Sequence, residues 1–128
     1  MRPLAPPTPV SRTERGAKAH DRGLAAERIA GWLLRVKFYR IAGRRVKTRG
    51  GEVDIVARKG KMLIIVEVKA RQTFEASADA VSPKQWARLL RAGEILLSRE
   101  PDGTSLRFDV VHVVPGRWPR HIKDAWRP

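Results

Sequence analysis

The chain contains no cysteine. No disulfide framework, Cys-ligated zinc, iron–sulfur cluster or thiol nucleophile is available to it, and a reducing cytoplasm is the expected compartment. No apolar run approaches the roughly 18 consecutive residues that span a bilayer. The longest uncharged stretch near the start, residues 3–11, is proline-rich and lacks the apolar centre of a secretory leader. Neither a membrane span nor a signal peptide is expected. His20, His112 and His121 stand alone, without the spacing of paired metal ligands, and Gly50-Gly51 lacks the spacing and the following helix of a phosphate loop. No serine lies in a nucleophile elbow.

Negative charge is the other scarcity. Thirteen Asp and Glu stand against 27 Lys and Arg in 128 residues, a formal charge of +14. Each phosphate neutralised by Lys or Arg releases condensed counterion, so such a surplus favours a polyanionic partner. Charge alone does not choose among DNA, RNA, ribosome and acidic membrane. The absence of a basic amphipathic helix with a broad lipid-facing stripe points to nucleic acid. A solvated basic surface with no specific partner is the alternative.

The length suits one domain with a true core, an α/β domain at residues 14–128 preceded by a disordered basic tail at 1–13 with four of the nine prolines. Over residues 17–37 apolar side chains recur at Ala25, Ala26, Ile29, Trp32, Leu33 and Val36, which predicts a helix with that face on the core. Residues 38–48 fit an extended segment. The stretches 52–58 and 62–70, rich in β-branched residues, predict two antiparallel strands around Lys59-Gly60-Lys61. A two-residue type II′ turn at Gly60-Lys61 pairs Lys59 with Met62. Arg58, Val56, Asp54 and Glu52 then face Leu63, Ile65, Glu67 and Lys69 on one side of the sheet. Val53, Ile55, Ala57, Ile64, Val66 and Val68 form a wholly apolar opposite side, which must be buried and penalises a register slip.

After an irregular stretch at 72–81, Ser82-Pro83-Lys84-Gln85 supplies an N-cap, a first-turn proline and a capping-box glutamine. The helix that follows runs to about Ser98, with Trp86, Leu89, Leu90, Gly93, Leu96 and Leu97 toward the core and Lys84, Arg88 and Arg91 in a basic stripe. Residues 106–114 predict a strand, and Trp118, Ile122 and Trp126 are expected to dock the C-terminal segment.

Chemistry concentrates at the end of the hairpin away from its turn. Directly opposed residues on an antiparallel pair have Cβ atoms roughly 4.5–5.5 Å apart, so Asp54 and Glu67 are within reach of one ion. Two like charges there need a proton, a lysine or a divalent metal between them. Mg²⁺ and Mn²⁺ accept such oxygen ligands together with water and phosphate oxygens. Lys69 lies on the same face as Glu67, placed to orient a water or balance phosphate charge.

Asp54 followed thirteen residues later by Glu67-Val68-Lys69 resembles the PD-(D/E)xK signature of metal-dependent nucleases with the restriction-endonuclease-like fold. More closely, the stretches Gly51-Glu52-Val53-Asp54-Ile55-Val56-Ala57, Val66-Glu67-Val68-Lys69-Ala70-Arg71, Ala80-Val81-Ser82-Pro83-Lys84-Gln85 and Arg107-Phe108-Asp109-Val110-Val111, with Ala25-Ala26-Glu27, resemble the YraN-like family of uncharacterised bacterial proteins. That family is related in fold to archaeal Holliday junction resolvases. The resemblance covers about residues 16–126. It implies a central mixed sheet flanked by helices and an active site at Asp54, Glu67 and Lys69, with Glu27 and Glu52 completing the acidic set. Gln85 and Asp109 match family positions, although Gln85 also explains itself as a cap and Asp109 as a loop anchor. Val53 stands where the signature's name has proline.

Three functions compete. The first is a Mg²⁺- or Mn²⁺-dependent endonuclease acting on DNA, structured or branched DNA included. In it Asp54 and Glu67 hold the metal, Lys69 steers water, and Lys84, Arg88, Arg91, Arg44, Arg45, Lys47, Arg49 and Arg71 grip the backbone. Junction resolvases cut as dimers, so a homodimer is expected if that activity holds. The second is a nucleic-acid-binding module that keeps the fold without cleaving. The third is a basic adaptor whose acids neutralise local lysines.

Overall fold

In the computed structural model residues 12–73 and 81–128 are described, with side chains from Gly23 onward. The expected tail, apart from Arg12 and Thr13, and most of the irregular stretch at 72–81 lie outside the described residues. The elements run α1 (Arg12–Val36), β1 (Arg40–Thr48), β2 (Gly51–Lys59), β3 (Met62–Ala70), α2 (Pro83–Leu97), β4 (Ser105–Val113) and β5 (Arg120–Ile122). One five-stranded sheet has them in the order β1-β2-β3-β4-β5, antiparallel except for the parallel pair β3 and β4. This is the predicted α/β class with a mixed sheet and flanking helices. Among the described residues no helix is long and apolar enough to cross a membrane.

α1 is described from Arg12, earlier than its apolar pattern suggests. It ends in a Schellman arrangement, Phe38 N–H donating to the Arg35 carbonyl and Tyr39 N–H to that of Leu34. Phe38, 87% exposed, holds the left-handed position at φ 68°, where glycine is usual.

The face that α1 buries matches the predicted one at Ala26 and Leu33 and departs from it elsewhere. Ala26, Ala30, Leu33 and Leu34 pack on the sheet with Ile55, Ala57, Ile64, Val66 and Val111. Ala25, Ile29, Trp32 and Val36 point outward. Both stripes have helical spacing, so periodicity cannot choose between them. The small side chains of Ala26 and Ala30 let the helix axis approach the strands closely, which dispersion and close packing favour.

The hairpin forms in the predicted register from Lys59↔Met62 to Ile55↔Val66. Gly60 has φ 59° while Lys61 keeps a negative φ, as a type II′ turn requires. β3 is buried on both sides, as suits a central strand with a parallel neighbour. Val56, Leu63 and Ile65 pack against Trp86, Leu89 and Ala92 of α2 and Phe108 of β4. In α2 the buried face is Trp86, Leu89, Ala92 and Gly93, with Leu90, Leu96 and Leu97 partly buried beside it. A Cβ on Gly93 would stand 3.0 Å from the Phe108 ring, so glycine is what allows this approach.

The predicted apolar side breaks at Val53. It packs in the α2-side cluster, whereas Ile55, two residues on, belongs to the α1 side. Alternation therefore fails across Asp54, where the β2–β3 ladder stops. Of the C-terminal anchors, Trp126 stacks at 5.4 Å on Trp86, Trp118 meets the Trp32 ring of α1, and Ile122 pairs with Val110, the last two while staying exposed. Pairing of β5 with β4 adds to the hold on the segment.

Candidate functional site

Where β2 leaves β3, the Asp54 side chain replaces a main-chain acceptor. Its Oδ2 accepts the N–H of Val68 at 2.8 Å. Strand departure, not a regular cross-strand pair, thus brings Asp54 to Glu67. Both acids line a cleft of about 770 Å³ with Glu27 from α1, Lys69, Arg71 at the end of β3, and Arg117 after β4.

Glu67 is 6% exposed. Its Oε1 accepts a 2.7 Å hydrogen bond from Gln85 Nε2, and Lys69 Nζ lies 3.3 Å away. Lys69 also donates to Gln85 Oε1 at 3.1 Å. The first turn of α2 therefore clamps both ends of the Glu67–Lys69 pair. Burial, followed by the Asp54 charge, pushes the Glu67 carboxyl up to about 7, with Lys69 pulling in the opposite direction. Burial also raises Asp54, against the Val68 N–H. The two acids titrate as one coupled unit, each shifted toward its protonated form by burial.

Glu27 reaches the cleft, where its charge repels that of Asp54, but its Oε2 is bound by Arg45 Nε at 3.0 Å. Arg45 is thereby tied to an acid of the cleft, not held out toward a phosphate backbone. Glu52 is exposed, pairs across to Lys47 on β1 instead of to Lys69, and does not line the cleft. The remaining basic residues divide between two faces. Lys84, Arg88 and Arg91 are exposed on α2, and Lys47 and Arg49 on β1 and its turn. A Cβ on Gly50 would fall 2.7 Å from the Ala92 backbone nitrogen, so the β1–β2 turn presses onto α2 at Arg91 and Ala92. Arg44 lies on the other side of the sheet, its guanidinium against Gly31 of α1. Arg71 stands exposed at the cleft rim.

Two neighbours of the site, Gln85 and His112, have roles that local sequence does not show, and Asp109 is an anchor outside the cleft. Gln85 forms half of the predicted capping box, its N–H bonding Ser82 Oγ, but its side chain turns to Glu67 and Lys69. His112, beside Lys69 in the β3–β4 register, is buried with Nδ1 lacking a hydrogen-bond partner, and burial lowers its pKa. Asp109 anchors the C-terminal segment, accepting from Arg107, His121 and the Asp124 backbone. An isolated glutamine, histidine or aspartate in sequence carries no sign of its neighbours.

Among the described residues no group of three or more His, Cys, Asp or Glu forms a ready metal cage. The donor set is two carboxylates beside an open cleft, with Lys69 at hand. A closed site for zinc does not fit it, whereas Mg²⁺ and Mn²⁺, which keep several waters and take one or two carboxylates plus phosphate oxygens, do.

The model of the uncharacterised protein family UPF0102 matches residues 26–113. A UPF0102 protein of Parvibaculum lavamentivorans is 53% identical over 115 residues, 88% of this chain and 86% of the relative. Another from Brucella canis is 48% identical over 106 residues, 81% of this chain and 84% of the relative. A third, from Methylorubrum extorquens, is 43% identical over 128 residues, 98% and 96% of the two chains. The cleft acids Glu27, Asp54 and Glu67 and the clamp residue Gln85 all fall inside the matched segment, and the chain belongs to uncharacterised protein family UPF0102, the YraN-like family that its motifs resemble.

Proposed function

We propose that the protein is a metal-dependent phosphodiesterase of the restriction-endonuclease-like kind, acting on DNA. The observation that carries this reading is the pair of half-buried Asp54 and buried Glu67, mutually repelling and open to a cleft in a chain of charge +14. Such a pair costs stability in the empty protein and is relieved by a cation.

Asp54 and Glu67 would hold Mg²⁺ or Mn²⁺. Bound there, the ion supplies Lewis acidity, lowering the pKa of an attacking water and offsetting charge on the phosphoryl oxygens. The chain's own residues do the rest. Glu67 gives up its shared proton to solvent on loading. Lys69, fixed by Gln85 and Glu67, presents its ammonium to the attacking water and the non-bridging oxygens. The exposed cations Lys84, Arg88 and Arg91 on α2, with Lys47 and Arg49 across the pressed turn, grip the phosphate backbone. Arg71 reaches the strand at the cleft.

The test is incubation of the full chain with branched, duplex and single-stranded DNA in Mg²⁺, Mn²⁺ or EDTA. Cleavage is expected in either metal, none in EDTA, and a drop of about 10³-fold or more in Asp54→Asn and Glu67→Gln, on the scale of losing an electrostatic stabiliser of the transition state. Cleavage unchanged in both variants contradicts the reading. The tie between Glu27 and Arg45 favours a second one, a binding module that retains the fold without cleaving, because it withholds a third acid from the pair. Tight, salt-sensitive DNA binding with no cleavage in any metal would establish that alternative.

A further inference from the structure

The outward stripe of α1 does not fit an ordinary solvated helix face. Trp32 is 48% exposed, and Trp118, reaching over from the segment after β4, is 67% exposed. Their rings meet edge to face at 5.3 Å with 74° between planes. Two large aromatic surfaces are thus held against each other and left open to water, at a cost in exposed apolar area that burial elsewhere does not require. Both adjoin the cleft. Ile29, one turn before Trp32, and Arg117, next to Trp118, line it.

Among the described residues four arginines lie near the pair. Arg28 and Arg35 lie four residues before and three after Trp32 on the same helix surface, and the Arg44 guanidinium lies against Gly31 just beside them. Arg117 flanks Trp118. None of these four arginines forms an ion pair with a described residue. A self-complementary contact between two copies would set these cations against their own kind. A polyanion bearing flat apolar rings complements both features.

We infer that Trp32 and Trp118 form a stacking platform for unpaired nucleobases, with Arg28, Arg35, Arg44 and Arg117 holding the adjoining phosphates, so that the substrate carries a single-stranded stretch at the cleft. Duplex bases are already stacked and offer no free face, whereas an unpaired base has one of either sequence class. The inference deepens the proposed nuclease reading by naming its substrate class. It differs from the duplex-type grip of α2, which needs phosphates alone.

Binding is measured by fluorescence anisotropy of labelled oligothymidine and of a duplex of equal length, on the full chain in EDTA so that cleavage plays no part. Trp32→Ala and Trp118→Ala are each expected to weaken oligothymidine binding about tenfold, and duplex binding less than about twofold. Trp32→Phe and Trp118→Phe are expected to recover most of the loss. Both tryptophans are exposed, and an unchanged melting temperature in the variants confirms folding. Equal losses on both probes, or none, overturn the inference. So does a chain that sediments as a dimer, falls to a monomer in Trp32→Ala, and keeps its affinity for oligothymidine. Loss of oligothymidine binding in a chain that never cleaves leaves the platform standing and ends the nuclease reading; cleavage that survives with unaltered single-strand binding does the reverse.

Discussion

Asp109 on β4 and the pair Asp54 and Glu67 on β2 and β3 are carboxylates of one sheet, yet their surroundings treat them in opposite ways. Asp109 is fully buried and receives four donors: Arg107 Nε and Nη2 at 2.7 Å each, His121 Nε2 at 2.7 Å and the Asp124 N–H at 2.9 Å. Those donors outweigh burial and hold its pKa down to about 2. Asp54 and Glu67 together receive Val68 N–H, Gln85 Nε2 and one ammonium, and face each other. Their pKa values move up. Burial of an acid therefore does not mark a site. An acid supplied with every donor it can use is scaffold, here fastening β5 and the C-terminal segment to β4. Acids left short of positive charge beside an opening have capacity for a ligand.

That contrast can be broken at either end. The largest effect is expected from Asp109→Ala, which leaves Arg107 without its counter-charge and His121 Nε2 without its acceptor. A loss of about 3–5 kcal/mol in urea unfolding is expected. A loss below about 1 kcal/mol would show that Asp109 is not the scaffold acid described.

Glu67→Gln is expected to act in the other direction. It removes one of two repelling charges, so the metal-free protein gains about 2 kcal/mol above pH 7 while cleavage is lost. The pH dependence has a definite sign. Glu67 is raised from 4.5 to about 7 in the folded chain, so the unfolded state releases this proton first as pH rises. The contribution of Glu67 to stability is full below pH 4.5, falls between 4.5 and about 7, and is flat above. Asp109 acts oppositely, its contribution present above 3.8 and lost as pH falls through about 2. Unfolding measured in EDTA from pH 4.5 to 8 is expected to show wild-type stability declining, and the decline shallower in Glu67→Gln.

A smaller change sharpens the comparison from the side of Glu27. Arg45→Ala removes a half-exposed ion pair and is expected to cost less than about 1 kcal/mol. It frees Glu27 toward Asp54, and the measurable consequence is tighter Mn²⁺ binding. Weaker binding would mean that Arg45 supports the site instead of restraining it.

Much of this contrast was open to reading in the amino-acid order, and part was not. The type II′ turn, the hairpin register from Lys59 and Met62, and the Ser82 cap rest on local rules that tertiary packing did not override. The pairing of Asp54 with Glu67 was legible for the same reason, although its geometry was not, since the Asp54 side chain ends the ladder instead of continuing it. The facing of α1 is legible only at Ala26 and Leu33, because two adjacent apolar stripes satisfy one period. Glu52 was assigned to the wrong neighbour because the alternation was carried past the point where β2 departs. Gln85 and the four donors of Asp109 come from elements distant in sequence, and no local pattern announces them.

The central claim is that Asp54 and Glu67 form one cation site, and calorimetric titration of the full chain with Mn²⁺ at pH 7.5, without nucleic acid, tests it most directly. One Mn²⁺ per chain is expected to bind, with binding lost in Asp54→Asn and in Glu67→Gln while Asp109→Asn retains it. No binding by the folded wild-type chain, or binding undiminished in the two site variants, would contradict the account.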